Sequence, residues 1–354
     1  MSRLAPRLDG FDPELARRMA MTVSCGDADA IPKVGQAGEC RDHDGGRVQV
    51  MHNGLLVEEG GYYGAWMAEI IHALRGHHEP QEERVFHRLV QRLAADGGSP
   101  AMIEFGSFWT YYGLWFCHAL PGAHVVAMEP DPNYLEVGRR NAALNGYTGR
   151  VTFVHAAIGD RPGHVLPFPA ESDGRNHDVV QHDLASLMDA TGLDHADLVL
   201  ADVQGAETLL IERAAHDLRS GRVRFLIVST HHHSISGDPL THQRVLRMLT
   251  DAGAHVVAEH SVGESVSGDG LIAVSFDQRD KDFHVPVSRA RYRDSLFGEL
   301  EHDLAAATAP LRAELARVTA ERDDLRTRLD AITATKTWRW AAIPRRAYAR
   351  LRRR

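Results

Sequence analysis

From Ala101 onward the apolar positions fall into short blocks of two kinds. AMIEF (101–105), HVVAMEP (124–130), VTFVHAAIG (151–159), DLVLADV (197–203) and RFLIVSTH (224–231) are near-continuous apolar runs of strand length. Between them YYGLWFCHAL, NYLEVGRRNAAL, AETLLIERAAHDL and PLTHQRVLRMLTDAG repeat their apolar positions at helical spacing. HVVAEH (255–260) and GLIAVSF (270–276) follow with no room for a helix between them. This alternation predicts a doubly wound, mostly parallel Rossmann-like α/β sheet of seven strands, the last one antiparallel.

The flanks read differently. Pro13 to Met21 forms a short helical pattern, and Gly, Asp and His fill 25–46 as a loop. RVQVMHNGLLVEEGG alternates around Asn53-Gly54, a favourable turn pair, and predicts a hairpin. Residues 62–74 and 80–95 are helical, the second with Pro80 in its first turn and Glu82 and Glu83 placed to complement the helix dipole. Beyond Ser288, Leu304, Leu311, Val318, Leu325 and Ile332 recur every seven residues, with Leu315 and Leu329 four residues on. That is a long helix with a coiled-coil-like seam, interrupted by Arg322 and broken early by Pro310. It either joins two chains as a homodimer or packs back on its own body. The organisation expected is an N-terminal extension capping the acceptor (1–74), a sheet domain (75–287), the long helix (288–334) and a basic aromatic tail (335–354).

Composition narrows the function classes. The 354 residues are 44% hydrophobic and contain no apolar run long enough to span a bilayer. The N-terminus has no apolar signal region, and three cysteines do not make a disulfide framework, so a cytoplasmic protein with free thiols is expected. The last nineteen residues carry eight basic groups and no acid; removing that +8 from the net −8 leaves −16 on the rest of the chain. A body so acidic argues against nucleic acid as a partner.

The chemistry begins at MIEFGSFWTYYG. An acid, Glu104, ends the first strand, a tight turn passes through Gly106, and the next strand ends in Glu129, placed to grip a ribose diol, with Asp131 beside it. A pyrophosphate needs several glycines so that backbone N–H groups can approach it, and there is no GxGxxG here. One glycine and the aromatics Phe108, Trp109, Tyr111 and Tyr112 suit a nucleoside without phosphates, for which S-adenosylmethionine is the common ligand. Poor glycine content also disfavours NAD-dependent oxidoreduction. At least two of Trp109, Tyr111 and Tyr112 are expected in the core.

With those residues in place, the chain resembles the FkbM family of S-adenosylmethionine-dependent methyltransferases over roughly residues 75–285. The likeness rests on GHHEP (76–80), IEFGSFWTYYG, AMEPDP, Asn141 and Asn145 in NAALNG, HAAIGD and DLVLADVQGAE. Of the family's Lys-x-Asp-Val-Glu-Gly-x-Glu run the chain keeps Asp202, Val203, Gly205 and Glu207, with Ala201 and Gln204 in place of the Lys and first Glu. Thr110 stands for a glycine and Phe108 for an asparagine of the first motif, and Ser229-Thr230-His231-His232-His233 stands for an acid followed by His. The resemblance implies a class I methyltransferase fold. It implies that Glu104 receives the methionine ammonium, that Gly106 leaves room for the ligand, and that Ala157 and Ile158 border the adenine. Ser107 either touches ligand or caps the next helix. GHHEPQEE would cover cofactor or acceptor, or merely start a helix.

On the catalytic lip, Asp202 ends a strand. His231 and His233, two apart, share a side if their strand continues. With Asp202 they offer either a two-His-one-carboxylate site for a divalent metal or a neutral imidazole base oriented by a carboxylate. Glu207 either supports this site or complements its own helix dipole. The expected activity is O-methylation of a sugar hydroxyl in a glycan, glycolipid or natural product. The tail interleaves Trp338, Trp340, Ile343, Tyr348 and Leu351 with basic residues, which suits reversible contact with an anionic membrane surface at the inner face. A rival reading is a non-catalytic scaffold that binds S-adenosylmethionine and recruits partners to a membrane through the helix and tail.

Overall fold

The computed structural model describes residues 3–44, 46–289 and 298–341, with Pro344 and Tyr348 beyond; the side chains of 298–306 and Arg339 are not described. Residues 1–296 form one unit and 297–354 a second.

The first unit opens with α1 (Pro13–Ser24), β1 (Cys40–His43), β2 (Gly46–Val50), β3 (Leu56–Glu58), α2 (Ala65–Ala73) and α3 (Pro80–Asp96). Asp12 caps α1 by accepting the N–H groups of Glu14 and Leu15, and Pro13 occupies its first turn. The three strands make a small antiparallel sheet, with Val50 opposite Leu56 across the expected hairpin. β1 was expected to be loop. Its sequence, CRDH, carries no apolar signal, and pairing with β2 alone makes it a strand.

The main sheet contains β4 (Ala101–Phe105), β5 (His124–Glu129), β6 (Val151–Ile158), β7 (Val165–Pro169), β8 (Asn176–His182), β9 (Ala196–Asp202), β10 (Val223–Thr230), β11 (His255–His260) and β12 (Gly270–Ser275). Interleaved are α4 (Tyr111–Ala119), α5 (Pro132–Leu144), α6 (Leu184–Thr191), α7 (Glu207–Arg219), the single turn α8 (His233–Ser236) and α9 (Thr241–Asp251). Strand order is β11-β12-β10-β9-β4-β5-β6-β8-β7. β12 runs antiparallel to both β10 and β11, as the helix-free strand pair requires.

The sheet has nine strands where seven were expected. The additions, β7 and β8, form an antiparallel hairpin at the edge. β7 reads VLPFP, and its two prolines hide it: they are tolerated because an edge strand leaves one side of its backbone unpaired.

Successive residues of the central strands feed opposite cores. Met102, Val125, Leu198, Leu200 and Ile227 pack with α2, α3 and α4, while Ile103, Val126, Val199, Ala201 and Leu226 pack with α6, α7 and α9. Both faces are therefore apolar, which is why these strands read as continuous runs. The cysteines are free thiols, as expected.

In the second unit α10 (Gly298–Ala334) is one helix, followed by α11 (Lys336–Trp340). Pro310 lies inside α10 without ending it, contrary to the expectation of an early break. Leu311, Leu315, Val318, Leu325, Leu329 and Ile332 are all exposed along it. Trp338, Trp340 and Tyr348 are exposed, whereas Ile343, Leu351 and Arg345, Arg346, Arg350 and Arg352 to Arg354 lie outside the described residues. Among the described residues no helix is long and apolar enough to cross a membrane.

Candidate functional site

The sheet grows in both directions from β4: β5 and β6 to one side, β9 and β10 to the other. Loops leaving β4 and β9 must part there, and a crevice opens at the carboxyl ends of the strands. A cleft of about 390 Å³ occupies this place, lined from β4, β5, β6 and β9 and roofed by Tyr62 and Tyr63 of the N-terminal segment. Its volume lies in the range of small-molecule sites.

On the β4–β5 side, Glu104 is buried and accepts the N–H of Gly113 at 3.2 Å. Burial pushes its carboxyl well above the usual range, and a cation placed beside it would draw it back down. Glu129 accepts the N–H of Phe108 on Oε2 and that of Asp131 on Oε1, both at 2.9 Å. Each oxygen keeps a lone pair for a further donor, and burial raises this carboxyl to about 7. Ser107 does not cap α4: its buried hydroxyl lines the cleft with no partner among the described residues. Ala157 and Ile158 line the wall at the end of β6.

Two residues of this side also serve the fold. Asp131 touches the cleft, but its carboxylate caps α5 through Asn133 and Tyr134 and accepts the N–H and hydroxyl of Ser172. Gly106 lies at φ +73, and a β-carbon there would collide with the carbonyl oxygen of Asp202. Gly106 lines the cleft, and the place a side chain would take is filled by the backbone of Asp202, which joins the β4 turn tightly to the end of β9.

Thr110 and Phe108 show how the departures are absorbed. Thr110 keeps the left-handed conformation a glycine would take there, φ +59, and its hydroxyl is fitted by Gly138 of α5, where any β-carbon would strike it. Phe108, also at positive φ, stacks on Tyr134 with centroids 3.6 Å apart. Trp109 and Tyr112 are buried and also line the cleft; Tyr111 alone of the three is held away from it, bonded to His52 at 2.9 Å.

On the β9–β10 side, His231 is buried among carboxylates. Its Nδ1 donates to Glu207 Oε1 at 2.5 Å, and its Nε2 lies 3.1 Å from Asp202 Oδ1 and 3.8 Å from Asp269 Oδ1. Burial alone would depress the imidazole, yet hydrogen bonds to Asp202 and Glu207 override it and raise its pKa well above the ordinary value. Both ring nitrogens face carboxylates, and the ring is not among the residues that line the cleft. This geometry corrects the neutral-imidazole base: His231 holds Asp202, and Asp202, partly exposed, faces the cleft.

β10 ends at Thr230, so the two-residue spacing no longer sets His231 and His233 on one side. His233 begins the turn α8, exposed, its ring 4.0 Å from that of His232. The three residues Asp202, His231 and His233 do not gather as a metal-ligand set. Among the described residues the set that does is His52, His77 and Glu83, buried in the core. It is internally paired, Glu83 with His77 and His78, and His52 with Tyr111.

Sequence reasoning offered GHHEPQEE as cover for cofactor or acceptor without singling out its acids, and it did not single out Tyr62, Tyr63 or the neighbouring Asp269. Tyr62 stacks on Trp109 at 4.5 Å, and Tyr63 meets Gln204 through a 3.1 Å hydrogen bond. Glu79 and Glu82 face the cleft from the start of α3, where acids ordinarily serve a helix dipole. Burial lifts Glu79 well above the usual range and Glu82 to about 7, while Ser229 donates to Glu82 at 2.6 Å. Asp269, half-buried beside His231, has a raised pKa because desolvation penalises its charged form. The doubled acids of GHHEPQEE were the available signal for Glu79 and Glu82; nothing in the sequence marks Asp269.

These donors fit S-adenosylmethionine. Carboxylates without a Lys or Arg among the described lining residues suit its cationic sulfur and ammonium, the lone pairs of Glu129 suit a diol, and the Ser107 hydroxyl, unpartnered among the described residues, suits its carboxylate.

Residues 98–256 match the profile of the Methyltransferase FkbM domain. The release factor glutamine methyltransferase of Chlorobaculum tepidum is 35% identical over 81 residues, 22% of this chain and 28% of that protein, so the chain spans little more than a quarter of its relative. Among solved structures, the METTL16 MTase domain aligns with TM-score 0.40 and 14% identity, covering 56% of this chain and 69% of that one. Precorrin-6y C5,15-methyltransferase from Geobacter metallireducens aligns with TM-score 0.36 and 16% identity, covering 54% and 88%.

Proposed function

Because this chain carries the FkbM methyltransferase domain and takes S-adenosylmethionine as its cofactor, we propose that it is an O-methyltransferase acting on a sugar hydroxyl. The cofactor supplies a methyl group on a cationic sulfur, already bonded to a good leaving group. What remains for the protein is to align an oxygen with that methyl and to receive one proton.

The observation that carries this reading is Asp202. It ends β9 at the switch point, borders the cleft, and has Nε2 of the buried His231, itself bonded through Nδ1 to Glu207, 3.1 Å from its Oδ1. A carboxylate so held accepts a hydroxyl's hydrogen bond in one orientation and then its proton. Glu82, at about 7, is a second carboxyl in the cleft suited to pass that proton on.

The walls support a neutral sugar. Tyr62, Tyr63 and Trp109 offer aromatic faces to C–H surfaces, the acids accept from hydroxyls, and the absence of Lys and Arg from the lining disfavours a phosphate or carboxylate near the reacting oxygen. The acceptor is thus a glycan, a glycolipid or a glycosylated natural product. Reversible contact of the basic tail with anionic lipid, on the evidence of its composition, would bring the enzyme to membrane-borne acceptors.

Asp202→Asn tests the assignment. Turnover should fall at least a hundredfold while cofactor affinity stays within threefold. Unchanged turnover removes Asp202 from the chemistry.

A further inference from the structure

We infer that α10 is the half of a two-stranded coiled coil whose other half is a second copy of this chain. The seam runs Leu311, Leu315, Val318, Arg322, Leu325, Leu329, Ile332, in alternating steps of four and three residues. That mean period of 3.5 differs from the 3.6 of a straight helix, so the stripe stays in line only if the helix winds around another helix. Packing on a globular surface does not select such a period.

The apolar members of the seam are exposed, from 46% at Val318 to 70% at Leu311. An apolar stripe this long is rare on a helix that works alone in water.

The flanking charges identify the partner. Glu321 and Arg326 stand on opposite edges of the seam, five positions apart. That is the offset at which two parallel helices bring their flanking residues together. Two copies would therefore form this pair twice, once on each edge. The other flanking positions of the same register, Arg312, Glu314, Thr319, Arg328 and Thr333, set no like charges against each other. An unrelated helix would need to reproduce both the seam and its charge pattern; a second copy has them already.

Arg322 sets the number of strands. Its guanidinium is held by Asp323 at 2.7 Å, outside the seam. In a pair, a seam position stays close enough to water for the long stem to deliver its charge there, whereas three or four strands would enclose it.

The test uses the full chain, with mass measured by light scattering across about 1 to 50 µM. The wild type should show twice the monomer mass. Leu325→Asp with Leu329→Asp should be monomeric, with S-adenosylmethionine binding unchanged by calorimetry as proof that the sheet unit is folded. Arg322→Leu should tighten the dimer at least tenfold or add strands. A monomeric wild type at the highest concentration overturns the inference. So does a dimer that persists in the double variant, since some other surface then joins the copies.

Discussion

The carbonyl oxygen of Asp202 stands where a β-carbon on Gly106 would be. The turn that follows β4 and the residue that ends β9 are thereby fitted to each other, and both line the cleft.

Gly106→Ala should therefore harm both sides at once. The positive φ costs about 1–2 kcal/mol by itself, and the collision forces Asp202 to move. Differential scanning fluorimetry should show a loss of at least several degrees, and turnover should drop more than tenfold. A variant with wild-type stability and activity would mean the two strands are not so tightly joined.

Glu129→Ala removes the two lone pairs assigned to the ribose. Calorimetry should give a cofactor dissociation constant at least tenfold weaker, the loss of hydrogen bonds to a charged acceptor. Since burial raises this carboxyl to about 7, cofactor affinity should also decline as pH falls below that value, and Glu129→Gln should abolish the decline. An unchanged dissociation constant would move the ribose elsewhere.

His231 and His233 should separate cleanly. His231→Ala strands the buried Glu207 carboxylate and loosens Asp202, so turnover should fall far more than cofactor affinity, with destabilisation of about 3–5 kcal/mol. Adding Glu207→Gln should recover stability but not turnover, because the support of Asp202 is still missing. His233→Ala, at an exposed turn, should leave turnover within about twofold. A large loss from His233→Ala would mean that α8 closes on the substrate.

Without added cofactor, the protein should be more stable at about pH 6 than at about pH 8. Glu82 and Glu129 have folded values raised to about 7 from 4.5. A raised acid stabilises the fold fully below its unfolded value and loses that contribution as pH rises through the folded one; of about 3 kcal/mol per group, roughly 1.4 kcal/mol is lost above pH 6. His231, also raised, acts in the same direction: its contribution is present below its unfolded value and lost as pH climbs through the folded one. Glu82→Gln together with Glu129→Gln should flatten the profile between these two pH values. Equal slopes in variant and wild type would assign the pH dependence to other groups.

What could be read from the sequence followed from periodicity. Both faces of β4, β5, β9 and β10 are covered, so their apolar runs stood out, and Glu104 and Glu129 are conspicuous as acids ending such runs. β7 could not be seen because proline is acceptable only at an edge, and edge position is a tertiary fact. The fit of the Asp202 carbonyl oxygen against Gly106 could not be read in advance, because a missing side chain does not say what fills the gap. His231 was expected to be neutral because Glu207, Asp202 and Asp269 converge on it from separate segments, and a like convergence places Glu79 and Glu82 in the cleft instead of at a solvated helix start.

The most direct test supplies the purified protein with S-adenosylmethionine bearing an isotopically labelled methyl group and a panel of neutral glycans, with a glutamine-containing peptide beside them, and locates the label by mass spectrometry. The label should appear on a sugar oxygen and vanish with Asp202→Asn. Label on the peptide nitrogen, or sugar labelling that survives Asp202→Asn, would contradict the account.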